Sequence, residues 1–200
     1  MLMRSYSSVN LNALWFLITA NVLIFIVEMI VGGYPIRGDN QVIRFLGLTP
    51  VLLWHQPWTM ITSMFVHAGF WHILCNMISL YFLGSFVLRL VGEGKFLTTY
   101  FLGGIAGNIL FYIFLRHSGI PGIGASGAIF ALGGALAMMT PKVPVFIFFI
   151  PIPVPLWIAI IVFLVISFIP GVAWQAHLGG LLLGLIAGYF FRRKRRTYYF

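Results

Sequence analysis

Apolar runs long enough to cross a lipid bilayer make up most of this sequence. Hydrophobic residues account for 61% of its 200 residues, whereas charged residues account for only 8%. Soluble domains carry far more charge than this, and disordered chains combine high charge with few apolar residues. The sequence therefore predicts an integral membrane protein.

Six apolar segments, separated by glycine and proline residues, are predicted to form membrane-spanning helices in a single all-α domain over residues 1–200. The predicted spans are 11–31, 70–90, 96–115, 126–140, 155–169 and 172–191. The fourth and fifth, with about 15 residues each, would be about 22 Å long, which is shorter than a hydrocarbon core of about 30 Å. Local thinning of the bilayer would accommodate them.

Two stretches between the spans do not have the pattern of a helix that crosses lipid. Residues 34–69 mix apolar residues with charged, histidine and proline residues. Trp54, Trp58 and Trp71 predict that the loop between the first two spans lies at the lipid headgroups, where indoles are enriched. Residues 143–155 are apolar, but their three final prolines (Pro151, Pro153 and Pro155) disfavour a helix before each of them, so we expect an extended connector and a helix whose first turn contains Pro155.

The basic residues predict which way the chain crosses the membrane. With six spans and both termini in the cytoplasm, inside segments carry nine Lys and Arg residues and outside segments three, as the positive-inside rule requires. Five of the nine form the run Arg192–Arg196 beside the last span, a placement that favours contact with the bilayer over nucleic acid. We expect a plasma-membrane protein, and a first apolar run that is retained rather than cleaved as a signal.

Four polar residues are predicted to lie at a similar depth, below the outer membrane surface. His72 lies near the outer end of the second span, Ser126 begins the fourth, and His177 lies near the outer end of the sixth. Asn76 follows His72 by four residues and shares its helical face. Because polar groups inside a span are costly, their convergence points to a functional site below the outer membrane surface.

Stripes of small residues predict that two of these helices pack closely. One stripe (Gly180, Gly184 and Gly188) shares the face of His177, and another (Gly133 and Ala137) shares the face of Ser126. If the two faces meet, a hydroxyl lies beside an imidazole, which is the arrangement of an activated nucleophile. His72 and Asn76 could then donate hydrogen bonds to a developing oxyanion.

Each of these features has a structural interpretation when it is taken alone. A serine after glycine is commonly a helix cap, a lone intramembrane histidine can line a pore or bind another helix, and an asparagine can join two helices. Glu28 and Asn108 are interpreted as structural polar residues. With Asp39 as the single aspartate, Cys75 as the single cysteine and no H-E-x-x-H motif, an aspartyl dyad, a zinc protease and a disulfide framework are excluded, and neither a metal ion nor a cofactor is predicted.

Over about residues 58 to 188, the sequence resembles the rhomboid intramembrane serine proteases. The resemblance rests on three motifs in this order: HAGFWHILCNM at 67–77, GASGA at 124–128 and AHLGGLLLG at 176–184. It implies a six-helix bundle around a water-filled cavity, which opens to the outer face and is shielded laterally by the loop before the second helix. Substrates would be membrane proteins whose transmembrane segments can unwind.

The resemblance implies a role for each residue of the predicted site. Ser126 would be the nucleophile and His177 its general base. His72 and Asn76 would donate side-chain hydrogen bonds to the oxyanion, together with the backbone N–H of Ser126.

The sequence departs from the common rhomboid pattern at three positions. Thr59 replaces an arginine after Trp58, Leu88 replaces a glutamate late in the second helix, and Phe130 replaces a tyrosine beneath the catalytic histidine. Phe130 can stack on His177 but has no hydroxyl to donate.

Two alternatives to a protease remain open at this point. A catalytically silent rhomboid-like protein would bind membrane clients without cutting them, and a small channel or transporter would use His72 and His177 to line its path. The sequence assigns neither the substrate nor the oligomeric state.

Overall fold

The structure, a computed structural model, describes residues 10–33, 40–147 and 152–196, with side chains as far as residue 192. These residues contain eight α-helices: α1 (Asn12–Gly32), α2 (Gln41–Leu46), α3 (Thr59–Thr62), α4 (Phe70–Val91), α5 (Glu93–Leu115), α6 (Ser126–Met139), α7 (Leu156–Ile166) and α8 (Trp174–Arg196).

Four helices, α1, α4, α5 and α8, are long and apolar enough to cross a membrane. The apolar helices α6 and α7 are shorter, with 14 and 11 residues. Large apolar side chains such as Phe16, Ile30 and Phe82 are exposed on the outside of the bundle. Acyl chains are the natural environment for such a surface.

The predicted helix ends agree with the structure to within a residue or so at α1, α4 and α6, where glycine, serine or the approach to a proline marks the boundary. Gly33 and Gly92, which follow α1 and α4, have positive φ angles of 73° and 82°. Three predicted spans are less accurate. Helix α5 begins at Glu93 rather than 96, and α7 ends at Ile166 rather than 169. Helix α8 begins at Trp174 rather than 172 and continues to Arg196 rather than 191, since basic residues are good helix formers beyond the apolar run.

The connector before α7 is an antiparallel pair of two-residue strands, β1 (Pro144–Val145) and β2 (Val154–Pro155). The expected extended conformation is present at both ends, while 148–151, with Pro151, lie outside the described residues. Pro155 belongs to β2 and precedes α7, so its predicted place in the first helical turn is wrong. Its φ of −55° suits a helix, but its ψ of 139° keeps it extended.

The segment before α4 is folded rather than an open loop. It contains α2, α3 and two 3-10 turns, Pro50–Leu52 and Ser63–Phe65. The Trp58 indole donates to the Phe45 carbonyl at 2.8 Å, and the Thr59 hydroxyl donates to the Gln56 carbonyl at 2.6 Å. Thr59 therefore makes a local anchor in this segment.

Helices α6 and α8 pack backbone against backbone. A methyl group at Gly180 would clash with the carbonyl oxygen of Gly127, and one at Gly184 with that of Ala131. Only glycine at these α8 positions permits so close an approach.

The predicted α6 contact stripe through Gly133 is wrong in register. Gly133 faces Ile160 of α7, whereas Gly127, Ala131 and Ala135 face α8. The line of closest approach to α8 starts at Gly127, one residue after Ser126, and the Ser126 hydroxyl contacts His177 at the end of this interface.

Candidate active site

The N-terminal ends of α6 and α8, which lie together because the two helices pack closely, carry a serine and a histidine. Ser126 is the first residue of α6, and His177 lies in the first turn of α8. The Ser126 Oγ and His177 Nε2 atoms are 2.7 Å apart, and the histidine is buried. A hydroxyl in this position can pass its proton to the imidazole as it attacks an electrophile.

Two further contacts hold the His177 ring, one on its face and one at the edge opposite Ser126. Phe130, one turn into α6, stacks on it with ring centroids 4.5 Å apart and an interplanar angle of 20°. The second ring nitrogen, Nδ1, lies 2.6 Å from the Oγ of Ser167, which directly follows α7.

Ser167 was missed by the sequence analysis. It is the only hydroxyl-bearing residue within the predicted fifth span, 155–169. That isolation in an apolar run is the signal that could have identified it, because polar groups inside spans usually have a partner.

The loop before Ser126 is fixed by backbone hydrogen bonds to the segment before α4. Leu48 and Gly122 exchange N–H···O bonds of 3.0 and 2.8 Å, and the Gly124 N–H donates to the Ser63 carbonyl at 2.9 Å. The Asn108 amide of α5 donates to the Ser63 hydroxyl at 2.9 Å. Asn108 therefore supports the loop that presents Ser126, in keeping with its interpretation as structural.

His72 is placed as a hydrogen-bond donor beside this loop. Its Nδ1 accepts the Ala68 N–H at 3.2 Å, so in the neutral ring the proton is on Nε2. That Nε2 lies against Gly124, where a Cβ would be 2.8 Å from it and 3.7 Å from Ser126 Oγ. Gly124 has a φ of 118°, so both the backbone and the close approach of His72 require glycine.

Asn76 lies one turn below His72. Its amide nitrogen donates one proton to the His72 carbonyl at 2.7 Å, which leaves the second amide proton available. Its Oδ1 is buried without a partner among the described residues, and the hydrogen bonds of those residues do not include one between Asn76 and Ser126. The structure thus brings Ser126, His177 and His72 to one place, with Asn76 one helical turn along α4 from His72.

The backbone at the start of α6 adds further donors. The first intrahelical bond runs from the Ile129 N–H to the Ala125 carbonyl, so the N–H groups at the helix start, including that of Ser126, precede the hydrogen-bonded ladder. The positive end of the helix dipole lies at the same place, and both features favour negative charge beside Ser126.

Glu28 of α1 holds the turn that positions His72. Its carboxylate accepts the His67 N–H at 3.2 and 3.3 Å, and its side chain is fully buried. The next residue, Ala68, supplies the N–H that binds His72. Glu28 therefore connects α1 to the site through two adjacent peptide groups.

His67, in the same turn, is fully buried, and neither ring nitrogen has a partner among the described residues. Burial, with a smaller effect of His72, lowers the pKa of His67 from its ordinary 6.5 to about 3, against a smaller opposing effect of the nearby Phe65 carbonyl. Between these values the unfolded chain binds a proton that the folded chain excludes. The His67 contribution to the free energy of unfolding should therefore fall below about pH 6.5, by up to about 1.4 kcal/mol per pH unit.

This pH dependence can be measured by comparing wild type with His67→Gln. We expect the thermal stability of the variant in detergent to fall less than that of wild type between about pH 7 and pH 5. Equal losses in the two proteins would contradict the assignment of the proton to His67.

The fold and the site define a multi-helix integral membrane protein with a Ser–His pair at the meeting point of two helix ends. The model of the rhomboid domain family matches residues 54–194, more than half of the chain. The protein belongs to the rhomboid family, and the expected family is thereby confirmed.

Curated relatives include members named as proteases and one named as inactive. The chain is 31% identical to the mitochondrial rhomboid protein 1 of Saccharomyces cerevisiae over 66% of this chain and 41% of that protein. It is 34% identical to the rhomboid protease GluP of Bacillus subtilis over 65% of this chain and 25% of that protein. It is also 34% identical to the inactive RHOMBOID-like protein 8 of Arabidopsis thaliana, over 44% of this chain and 24% of that protein. The chain thus spans only part of the length of these relatives.

Proposed function

We propose that this protein is an intramembrane serine endopeptidase that cleaves transmembrane segments of other membrane proteins by a Ser126–His177 dyad. The observation that carries the proposal is the 2.7 Å contact between the Ser126 hydroxyl and His177 Nε2. The same pair lies beside the His72 donor and the free N–H groups at the start of α6.

The reaction would proceed through an acyl-enzyme. His177 Nε2 takes the Ser126 proton as Oγ attacks the scissile carbonyl carbon, and the carbonyl oxygen becomes an oxyanion. His177 then gives the proton to the leaving amine as the C–N bond breaks. Water, deprotonated by the same nitrogen, then attacks the acyl carbon. The bond between this carbon and Ser126 Oγ breaks, His177 returns the proton to Oγ, and the new carboxyl terminus is released.

The oxyanion would be stabilised by His72 Nε2–H, the backbone N–H of Ser126 and the second amide proton of Asn76. These donors are fixed before the reaction, His72 by Ala68 and Asn76 by the His72 carbonyl. Donors that need no reorganisation give the largest electrostatic stabilisation of a transition state.

The substrate class follows from the location of the site. A transmembrane helix uses its carbonyl groups in its own hydrogen bonds, so a nucleophile cannot reach them until the helix unwinds. We infer that substrates have transmembrane segments that unwind readily. This proposal agrees with the protease relatives of the chain, and it leaves the individual substrate and the oligomeric state unassigned.

The proposed topology has six spans within one domain over residues 1–200. The helices α1, α4, α5 and α8 would be joined by the shorter α6 and α7 as the fourth and fifth spans. Both termini would lie in the cytoplasm, the site would open to the outer face, and the membrane would be the plasma membrane. The nine-to-three distribution of basic residues supports this orientation.

The function can be tested on the full chain in detergent. Wild type should cleave a fluorescent transmembrane test substrate and should form a covalent adduct with a serine-reactive fluorophosphonate. Ser126→Ala should do neither. Ser118→Ala, which removes a half-buried hydroxyl that accepts the Ile120 N–H in the loop after α5, should do both. Labelling of Ser126→Ala equal to that of wild type would contradict Ser126 as the nucleophile.

A second candidate is a silent rhomboid-like protein that binds membrane clients, since one relative carries the name inactive. Its expected result is a folded wild type that binds a transmembrane test peptide, forms no adduct and leaves the peptide intact. The contact between Ser126 and His177 favours the protease, because a binding protein has no need of it.

A further inference from the structure

We propose that Ser167 is a positioning residue that holds His177 in the tautomer able to accept a proton from Ser126. For its catalytic consequence the inference rests on the proposed function. The structural part, which tautomer His177 adopts, stands on three hydrogen bonds that join Ser126, His177, Ser167 and the carbonyl of Phe163.

The positions of three protons follow from these contacts. The Ser167 hydroxyl has one proton, and it donates to the Phe163 carbonyl of α7 at 2.8 Å. Its oxygen must then accept the Nδ1–H of His177 across 2.6 Å. With the ring proton on Nδ1, Nε2 has a free lone pair and accepts the Ser126 hydroxyl at 2.7 Å.

The opposite arrangement satisfies one contact fewer. If the Ser167 hydroxyl donated to Nδ1, the ring proton would be on Nε2 and would point at Ser126 Oγ. Because that hydroxyl has one proton, its bond to the Phe163 carbonyl would be lost. The first arrangement keeps all three hydrogen bonds and the second keeps two; a hydrogen bond contributes about 0.5–1.5 kcal/mol net, so the first arrangement is favoured.

Stacking on Phe130 selects neither the tautomer nor the orientation of the His177 ring. It fixes the plane of the imidazole, but both tautomers, and a ring rotated by half a turn, stack equally well. A hydrogen-bond partner at the ring edge is needed to select one of them. Among the described residues the acidic side chains are Glu28 and Glu93, and Glu28 is bound to the His67 N–H, so Ser167 occupies the place that a carboxylate takes in a triad.

The kinetic test compares Ser167→Ala and Ser167→Thr with wild type. Loss of one neutral hydrogen bond to the reacting imidazole should lower kcat about tenfold in Ser167→Ala, with KM changed by less than about twofold. Ser167→Thr keeps the hydroxyl and should retain at least about half of the wild-type kcat. The matched control is Ser85→Ala, since the Ser85 hydroxyl also donates to a phenylalanine carbonyl of its own helix, at 3.1 Å, away from the site.

The second readout does not depend on activity. In ¹⁵N-histidine-labelled protein, the His177 resonances, assigned by their loss in His177→Ala, should report a protonated Nδ1 and an unprotonated Nε2 in wild type and Ser167→Thr. Ser167→Ala should show a mixture of the two neutral tautomers. A merely structural role of Ser167 would leave the tautomer unchanged.

The outcomes separate this inference from the proposed function. A wild type that neither cleaves nor forms a fluorophosphonate adduct would overturn the proposed function, while the NMR readout would still decide the role of Ser167. An active wild type with unchanged kcat and an unchanged tautomer in Ser167→Ala would overturn the inference and leave the dyad intact. A tenfold loss of kcat together with tautomer mixing would support it.

Discussion

Replacing Ser126 or His177 by alanine should each lower the rate of peptide cleavage by about 10⁶-fold, and replacing both should lower it little further. The two side chains act as one unit, because the serine is a poor nucleophile until the imidazole takes its proton. When one of the two side chains is absent, the other no longer contributes to the rate. The residual rate would come from the oxyanion donors and from binding alone.

The measurement is a single-turnover cleavage assay on wild type, Ser126→Ala, His177→Ala and the double variant. Thermal unfolding in the same detergent would show that all four are folded, and substrate binding should be close to that of wild type. Losses that multiply in the double variant would show that the two residues act independently, which would contradict the dyad.

Replacing His72 by alanine should lower kcat by about 10²–10³-fold, the usual effect of removing one oxyanion donor. The structure gives a physical reason for so large an effect, since the backbone N–H of Ala68 leaves His72 Nε2 protonated and adjacent to Gly124. Asn76→Ala should also lower kcat. We expect its effect to be at the lower end of that range, because one amide proton is already bound to the His72 carbonyl.

The control for the oxyanion variants is His55→Ala, because His55 is exposed in the segment before α4. It should retain wild-type kcat. Wild-type rates in His72→Ala would contradict the assigned donor, and a rise in KM without a fall in kcat would assign His72 to substrate binding instead.

The sequence was most informative where single residues decide the backbone conformation. The glycine pair at 32–33 marked the end of the first helix, where the φ of Gly33 is one that glycine readily adopts. The depth of polar residues in the spans identified Ser126, His177 and His72 as neighbours. The position of a glycine and the depth of a residue in its span are properties of one chain segment. These predictions therefore needed no knowledge of how the helices pack.

What could not be predicted depends on contacts between distant segments. The periodicity counted from Ser126 selected the face of Gly133. The face that meets α8 is the one counted from Gly127, one residue later. This difference depends on how the two helices pack against each other. Ser167 gained its importance from the position of α7 relative to α8. The short helices α2 and α3 are too brief to have a periodic pattern, and local hydrogen bonds such as that of Thr59 determine them.

Because of the contact of Gly180 with Gly127, different parts of the protein should tolerate amino-acid substitution to different degrees. Main-chain atoms meet there, so no change of rotamer could make room for an added carbon between the helices that carry Ser126 and His177. The outward faces of the helices, where side chains such as Phe16 and Phe82 are exposed, make no such contact with that pair. Substitutions on those faces can change the preferred lipid or client without changing the distance between Ser126 and His177. That distance depends on small residues of the α6–α8 contact, such as Gly127 and Gly180.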